Sequence, residues 1–300
     1  MYKVKVLMST YNGEKYLGEQ LESIFKQIDV EVSLLVRDDG STDKTLDILN
    51  EWAENHEIII VKGKNLGYAH SFMALLNSAS GADYYAFADQ DDVWLPKKLI
   101  TAIDCMNSGN EKNHLYMSQA IIVDDRLYPI KVKFHKRYIT LDRLIAHNFA
   151  IGCTMVFDDY LHGILKASPE KMELRAGHDY WISCVACAVG GNIYWDENGY
   201  VLYRQHGNNA SGKIVSIRQA FRAIKKILYK WKHVRENIAK KILINYSEYI
   251  SNDDKRILKI AAYYRDNFQT YLRFLLSKKF LSNYFIADVV TKISILICTF

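Results

Sequence analysis

Three carboxylates crowd into four positions at Asp89-Gln90-Asp91-Asp92, directly after the apolar run Tyr84-Tyr85-Ala86-Phe87-Ala88. In water such a cluster repels itself. It tolerates close packing where a divalent cation or a cationic partner neutralises it, and hard cations choose oxygen ligands. The apolar run reads as a buried strand, and strand ends in open α/β sheets are where ligands bind. The chemistry this points to is a metal-assisted site for a phosphorylated substrate. A second reading makes the stretch a polar loop capping the next helix, with Asp92 as the N-cap.

Two later stretches carry further candidates. In Arg175-Ala176-Gly177-His178-Asp179-Tyr180-Trp181, Gly177 breaks the chain and Asp179 stands at the start of an apolar helix expected over 180–189. Taken alone, that carboxylate can be an N-cap. In Tyr203-Arg204-Gln205-His206-Gly207 a polar, glycine-containing loop follows an expected strand over 200–203. There the His206 ring is free to reach a ligand, and Arg204 is placed to steady a diphosphate. The Cys184–Cys187 pair lies inside the apolar helix with no second pair elsewhere, so it reads as core packing and not as a zinc site.

The elements that must hold these residues follow from periodicity. Strands are expected at 3–8, 32–36, 58–61 and 84–88, and helices at 14–27, 44–55 and from Tyr68 through Leu76. Strands alternating with helices of this length mean βαβ units and a parallel sheet. Such a sheet gathers its polar strand ends on one rim: Ser9-Thr10-Tyr11-Asn12, Asp38-Asp39, Asn65-Leu66-Gly67 and Asp89–Asp92. Each piece alone is a common turn or cap, and the convergence carries the signal. Further on, the pattern predicts a helix over 97–106, a strand over 114–123, a helix over 141–149 and a strand over 151–157. Phe134-His135-Lys136-Arg137 reads as a solvated basic loop or a phosphate contact. No G-x-x-x-x-G-K-[ST], no G-x-G-x-x-G after the first strand and no G-x-S-x-G elbow is present, so phosphates would be held by a metal and not by a glycine-rich nest.

Taken together, Met8-Ser9-Thr10-Tyr11-Asn12-Gly13-Glu14, Arg37-Asp38-Asp39-Gly40-Ser41-Thr42-Asp43, Asn65-Leu66-Gly67 and Asp89-Gln90-Asp91-Asp92-Val93-Trp94 resemble family 2 glycosyltransferases of the GT-A fold. The resemblance implies an α/β fold, a Rossmann-like, mostly parallel sheet flanked by helices, followed here by a helical C-terminal region. It implies a nucleotide-sugar donor at Ser9, Thr10, Tyr11, Asn12, Asp38, Asp39, Asn65, Gly67, Asp89 and Gln90, with Arg204 on the diphosphate. Mg²⁺ or Mn²⁺ would be held by Asp91, with Asp89 as a second metal or ribose contact and His206 completing the shell. Asp179 would be the general base that takes the proton of an acceptor hydroxyl, and direct attack assisted by one base inverts the anomeric centre. Asp92, Trp94, Gly152, Cys153, His178 and Trp181 would lie on the acceptor side. The Y-R-Q-H segment resembles bacterial rhamnosyltransferases of surface polysaccharide synthesis. That favours dTDP-L-rhamnose and a glycan or lipid-linked acceptor, with a UDP-sugar as the alternative donor.

Charge divides the chain. The net charge is +5, yet residues 213–300 carry 18 Lys/Arg against 6 Asp/Glu, a net of +12 that leaves −7 for residues 1–212. An acidic catalytic body over 1–212 and a basic tail over 213–300 suggest a tail that meets an anionic membrane surface. The tail's first segment, from Ile217 to Val234, has the spacing of a basic amphipathic helix. Its apolar stripe and the acidic body argue against a nucleic-acid partner. Five Cys in 300 residues are no disulfide framework and point to a reducing compartment. No signal peptide and no run of about 18 apolar residues is seen. The expected location is therefore cytoplasmic, at the inner face of a bacterial plasma membrane. Asp89, Asp91 and Asp179 together argue against a non-catalytic binding relative.

Overall fold

The computed structural model describes residues 1–109, 112–130, 139–166, 172–173, 175, 177–205, 232–277, 279–281 and 285–300. The chain divides into two compact units, one of residues 1–137, 150–169 and 191–206, the other of 138–149, 170–190 and 207–300. Segments 138–149 and 170–190, read above as part of a body ending at residue 212, thus group with the C-terminal region. The described strands are β1 (Tyr2–Thr10), β2 (Val30–Asp38), β3 (Ile58–Lys62), β4 (Tyr84–Ala88), β5 (Val93–Trp94), β6 (His114–Val123), β7 (Val156–Asp158) and β8 (Asn192–Arg204). The helices are α1 (Leu17–Phe25), α2 (Thr45–Ala53), α3 (Tyr68–Ser78), α4 (Lys98–Met106), α5 (Leu141–Ala146), α6 (Asp159–Lys166), α7 (His178–Ala188), α8 (Val234–Asn245), α9 (Asn252–Tyr263), α10 (Phe268–Leu276) and α11 (Phe285–Leu296).

The first unit is one sheet in the order β3-β2-β1-β4-β7-β6-β8-β5. Strands β3, β2, β1 and β4 run parallel, with Thr10 beside Asp38 and Met8 beside Ala88, so their C-terminal ends share one rim as expected. β7 lies antiparallel to both β4 and β6, β8 runs parallel to β6, and the short β5 pairs antiparallel with β8. Because β1 is central, both of its faces are covered. Val4, Val6 and Met8 pack with Leu17, Leu21 and Ile24 of α1 and Leu99, Ile103 and Met106 of α4. Leu21 is fully buried, and truncating such a side chain to Ala costs about 2–5 kcal/mol. A second, aromatic set joins β4 to α3, β7 and α6: Phe87 meets Phe72 at 5.4 Å and Phe157 at 5.3 Å, and Tyr85 stacks on His162 at 3.9 Å. His162 Nε2 pairs with the Leu76 carbonyl at 2.8 Å, and burial lowers the affinity of its ring for a second proton.

Three expectations give way. The strand expected over 151–157 is a 3-10 turn at Gly152–Thr154 followed by only Val156–Asp158, because Thr154 Oγ1 donates to the Ile151 carbonyl and closes the turn. The helix expected over 141–149 stops at Ala146. Asp92 caps no helix, since α4 begins six residues later at Lys98.

The second unit is helical among its described residues. Tyr180, Trp181 and Val185 of α7, Leu144 and Ile145 of α5, and Ile238 and Ile242 of α8 are buried. Tyr180 Oη donates to the Ile145 carbonyl at 2.7 Å. Glu236, buried on α8, accepts from Arg265 at 2.8 and 2.9 Å and from Lys240 at 2.7 Å. Phe274, Phe280, Phe300 and Tyr264 form an edge-to-face cluster near the chain end. Among the described residues no helix is long and apolar enough to cross a membrane. Most of the expected basic helix of 217–234, like Phe134–Arg137, lies outside the described residues.

Candidate active site

The rim is knitted from strand-end side chains and loop N–H groups. Asp38 closes β2: its Oδ2 accepts from Thr10 Oγ1 (3.0 Å) and Ser41 Oγ (2.5 Å), and its Oδ1 from the N–H groups of Gly40 and Ser41. Asp39 Oδ2 accepts from the Leu66 and Gly67 N–H groups, both at 2.9 Å, while its Oδ1 pairs with Arg37. Gly67 has φ +77°, a left-handed turn that suits glycine and precedes α3. Asn65 Oδ1 accepts a second bond from the Gly67 N–H. Arg37, buried, also donates to the Lys64 carbonyl, so one guanidinium fixes the Asp39 carboxylate and the β3–α3 loop together. Ser9 Oγ donates to Ser71 Oγ of α3 at 2.7 Å.

The β1 end is tied sideways. Asn12 takes φ +48°, its N–H donates to Ser41 Oγ and its Oδ1 accepts from the Thr42 N–H. Gln90 forms a two-bond bridge to the Tyr11 backbone, accepting at 2.9 Å and donating at 3.1 Å. Gly13 permits this approach, since a Cβ there would fall 2.4 Å from Gln90 Oε1. The Tyr11 ring is exposed, as are Leu66 and Tyr68. Gln90 and Asn12 thus set backbone geometry, and Tyr11 offers a face.

At the end of β4, Asp89 and Asp91 are partly exposed and Asp92 is buried. Asp92 Oδ1 accepts the Arg204 N–H at 3.2 Å. Its Oδ2 has no nitrogen or oxygen donor among the described residues, and the Cys153 thiol interacts with the same carboxyl group. Burial, and then the charge of Asp91, push the Asp92 carboxyl well above the ordinary carboxylate range. Lys98 Nζ is buried below, 3.6 Å from the centre of the Trp94 ring, and burial lowers its affinity for a proton. Burial likewise raises the Cys153 thiol well above its usual value. Trp94 is therefore part of the core under the acids and not a surface ring, and Gly152 is buried at the start of the 3-10 turn that presents Cys153.

Arg204 is an anchor. Its Nε donates to the Asp91 carbonyl (2.9 Å), Nη1 to the Asp125 carbonyl (2.6 Å) and Nη2 to Glu19 (2.5 Å), and the guanidinium lies 4.4 Å from the Tyr16 ring centre. Arg204, expected on the diphosphate, here joins β8 to the acid loop. His206 lies outside the described residues.

In the helical unit Gly177, at φ +103°, turns the chain into α7. Asp179 is in the first helical turn, one residue past the start, and its Oδ1 accepts the Tyr180 N–H at 2.8 Å. Burial pushes its carboxyl up to about 6, against the pull of the Tyr180 N–H and the Asn148 side chain. His178 is buried, and burial pushes its imidazole down to about 3, which holds it neutral. Trp181, fully buried, packs against Tyr246 at 6.4 Å in the helical core.

Residues 5–164 match the model of the family described as Glycosyl transferase family 2, more than half of the chain. The chain belongs to glycosyl transferase family 2. It is similar to the dTDP-rhamnosyl transferase RfbG of Shigella flexneri, with 30% identity over 75% of this chain and 80% of that one. The Escherichia coli UDP-Glc:alpha-D-GlcNAc-diphosphoundecaprenol beta-1,3-glucosyltransferase WfgD is 30% identical over 52% of this chain and 60% of that one. Among solved structures, S. aureus TarS 1–349 in complex with UDP superposes with a TM-score of 0.59 at 20% identity, covering 92% of this chain and 75% of that one. The fold is GT-A, and this family 2 chain is a glycosyltransferase.

A divalent ion is the cofactor the family implies, and the donor set admits one. One oxygen each of Asp89 and Asp92 and the Cys153 sulfur lie within 4.8 Å of one another. The two carboxylates are hard donors, and the Asp92 Oδ2 without a nitrogen or oxygen donor among the described residues is a ligand atom with unused capacity. Asp92 and Cys153, assigned above to the acceptor side, thus stand with Asp89, whereas Asp91 is outside this group of three. Lys98 and Arg37 escaped the sequence reading. Both are long cations in the interior; Arg37 had the signal of its place beside Asp38 and Asp39, and Lys98 had none.

Proposed function

We propose that this family 2 enzyme is an inverting, metal-dependent rhamnosyltransferase that uses dTDP-L-rhamnose and extends a lipid-linked glycan at the cytoplasmic face of a membrane. The observation that carries the chemistry is the acid knot Asp89–Asp92 on the sheet rim beside a platform built from Thr10, Asp38, Asp39 and Gly67. Similarity to RfbG over three-quarters of the chain supports the donor. The acceptor named for WfgD, a diphosphoundecaprenol-linked sugar, supports a lipid-linked acceptor.

In this reading Tyr11 lies against the base, and Asp38 and Asp39, held by N–H groups, fix the loops that receive base and ribose. Asp89, Asp91 and Asp92 hold the divalent ion, with His206 as a further ligand. Bound there, the ion supplies Lewis-acid stabilisation of the charge that develops on the leaving diphosphate. The acceptor hydroxyl oxygen bonds to the anomeric carbon as the bond from that carbon to the phosphate oxygen breaks. The hydroxyl proton passes to Asp179, and dTDP leaves with the bonding pair. An alcohol is a poor nucleophile until its proton has a destination, and a carboxylate near 6 is a stronger base than an ordinary one while still ionised at neutral pH. One displacement inverts the centre, as no second carboxylate is needed as a covalent nucleophile.

The test is a thermal-shift and hydrolysis screen of dTDP-rhamnose against UDP-glucose and UDP-GlcNAc, each with Mg²⁺, Mn²⁺ or excess chelator. The proposal expects the largest metal-dependent shift with dTDP-rhamnose. A larger shift with a UDP-sugar would reassign the donor, in line with the similarity to WfgD.

A further inference from the structure

The helical unit carries a surface that its own packing does not explain. On α10 the inward residue is Phe274, whereas Phe268, Leu272 and Leu276 stand on the opposite side at i, i+4 and i+8, exposed by 74, 40 and 71%. The next helix, α11, buries Ile295 but turns other aliphatic residues outward. Its buried positions include the polar Thr291 and Ser294, while Val289, Ile293, Leu296 and Ile297 face outward. A helix that only closes a bundle turns its aliphatic stripe inward. The two helices are neighbours, because Tyr271 Oη donates to the Leu296 carbonyl at 3.3 Å and Lys292 Nζ to the Leu275 carbonyl at 2.5 Å. The two stripes therefore stand on adjacent helices, and exposed apolar residues grouped in this way mark an interaction site.

Charge selects the occupant. A cleft between α9 and α10, beside the α10 stripe, is lined by Lys259, Tyr263, Asn267, Thr270 and Arg273, with Asp266 as its one acid. The stretch that contains it, 232–300, carries 12 Lys/Arg against 6 Asp/Glu, a net charge of +6. A second copy of this chain would set that cationic surface against itself. An anionic bilayer offers both complements, phosphates for the cations and the acyl boundary for the stripe.

We propose that the outward faces of α10 and α11 dock on an anionic phospholipid bilayer, with Phe268, Leu272, Leu276, Ile293 and Leu296 at the acyl boundary and Lys259 and Arg273 on headgroup phosphates. This deepens the membrane reading above, on which it rests, by naming the contact surface. Docking there confines the enzyme to the plane in which a lipid-linked acceptor diffuses.

The experiment is co-sedimentation of the full chain with phosphatidylcholine vesicles, with or without phosphatidylglycerol. Three variants are compared with the wild type: Leu272→Glu with Leu276→Glu, Ile293→Glu with Leu296→Glu, and Lys259→Glu with Arg273→Glu. The apolar targets are exposed, so folding is preserved, and circular dichroism together with the donor-induced thermal shift in vesicle-free buffer verifies this. The wild type pellets with anionic vesicles only, and each double variant weakens binding roughly tenfold or more. Wild type that stays in the supernatant overturns the proposal, as does undiminished binding of the apolar variants. Variants that change the sedimentation coefficient of the free protein but not its vesicle binding make the face a self-association surface and overturn it too. Vesicle binding without any nucleotide-sugar shift counts against the transferase reading alone.

Discussion

The two halves of the sheet rim bury the same side chain and treat it in opposite ways. At the β1–β2 end, Asp38 and Asp39 are 1 and 2% exposed, and both oxygens of each accept hydrogen bonds from loop N–H groups, hydroxyls or Arg37. At the β4–β8 end, Asp92 is equally buried, yet one oxygen has no nitrogen or oxygen donor among the described residues, and a carboxyl neighbour raises its proton affinity further. Burial is constant across the pair, and the supply of N–H donors differs. A carboxylate bonded at both oxygens spends most of its acceptor capacity on fixing loops. An unsaturated one is costly to the fold and available for chemistry, which is how perturbed groups come to mark functional sites. Asp179 belongs with Asp92 in this respect, since its N–H bond does not offset the burial that holds its carboxyl near 6.

The sharpest way to break the comparison is Asp179→Asn, which keeps shape and removes the base. Turnover should fall by about a hundred- to ten-thousand-fold, with the nucleotide-sugar thermal shift retained. In the wild type, turnover should climb with pH through about 6, where Asp179 loses its proton. Stability should move the other way. A carboxyl raised from 3.8 to about 6 binds its proton more tightly in the folded chain, so the fold loses stability as pH rises from about 4 to 6. Asp179→Asn should therefore be more stable than wild type at pH 8, by up to about 3 kcal/mol, and the gain should vanish below about pH 4. Full turnover in this variant removes Asp179 as the base.

On the saturated side, Asp39→Ala leaves Arg37 buried without its counter-ion and the Leu66 N–H without its acceptor, while the Gly67 N–H keeps Asn65. A loss of about 3–5 kcal/mol in denaturant unfolding is expected. A change below about 1 kcal/mol would mean that Asp39 is not the structural acid it appears in this arrangement.

A smaller effect tests the unsaturated side. Asp92 and Lys98 are buried and feel each other's charge. In a double-mutant cycle of Asp92→Asn and Lys98→Met, the pair should cost less than the sum of the singles by about 0.5–3 kcal/mol. Strict additivity would show that the two are uncoupled.

How far the sequence foretold this contrast depends on the length scale of each signal. The β1–β4 core was legible because Val4, Val6 and Met8 alternate and Leu17, Leu21 and Ile24 repeat at helical spacing, and a parallel sheet then forces the polar strand ends together. The second half was less legible. The strand expected over 200–203 is the end of the thirteen-residue β8, which starts at Asn192 and passes through Asp196-Glu197-Asn198-Gly199 with register shifts against β6. Helix α6 starts without a glycine or proline signal, because Asp158 Oδ1 accepts the Leu161 N–H and begins it directly from β7. The acid knot itself was plain from composition. Which of its members meets Cys153, and that Arg204 clamps the Asp91 backbone instead of facing outward, depends on contacts across more than fifty residues that no local pattern encodes.

The central claim is that the β4 acids hold a nucleotide-sugar through a divalent ion. Its most direct test is calorimetric titration of dTDP-rhamnose into wild type and Asp91→Ala, each with Mn²⁺ and with excess chelator. Wild type should bind with Mn²⁺, and chelator and the substitution alike should weaken that binding roughly tenfold or more. Equal affinity in all four titrations would contradict it.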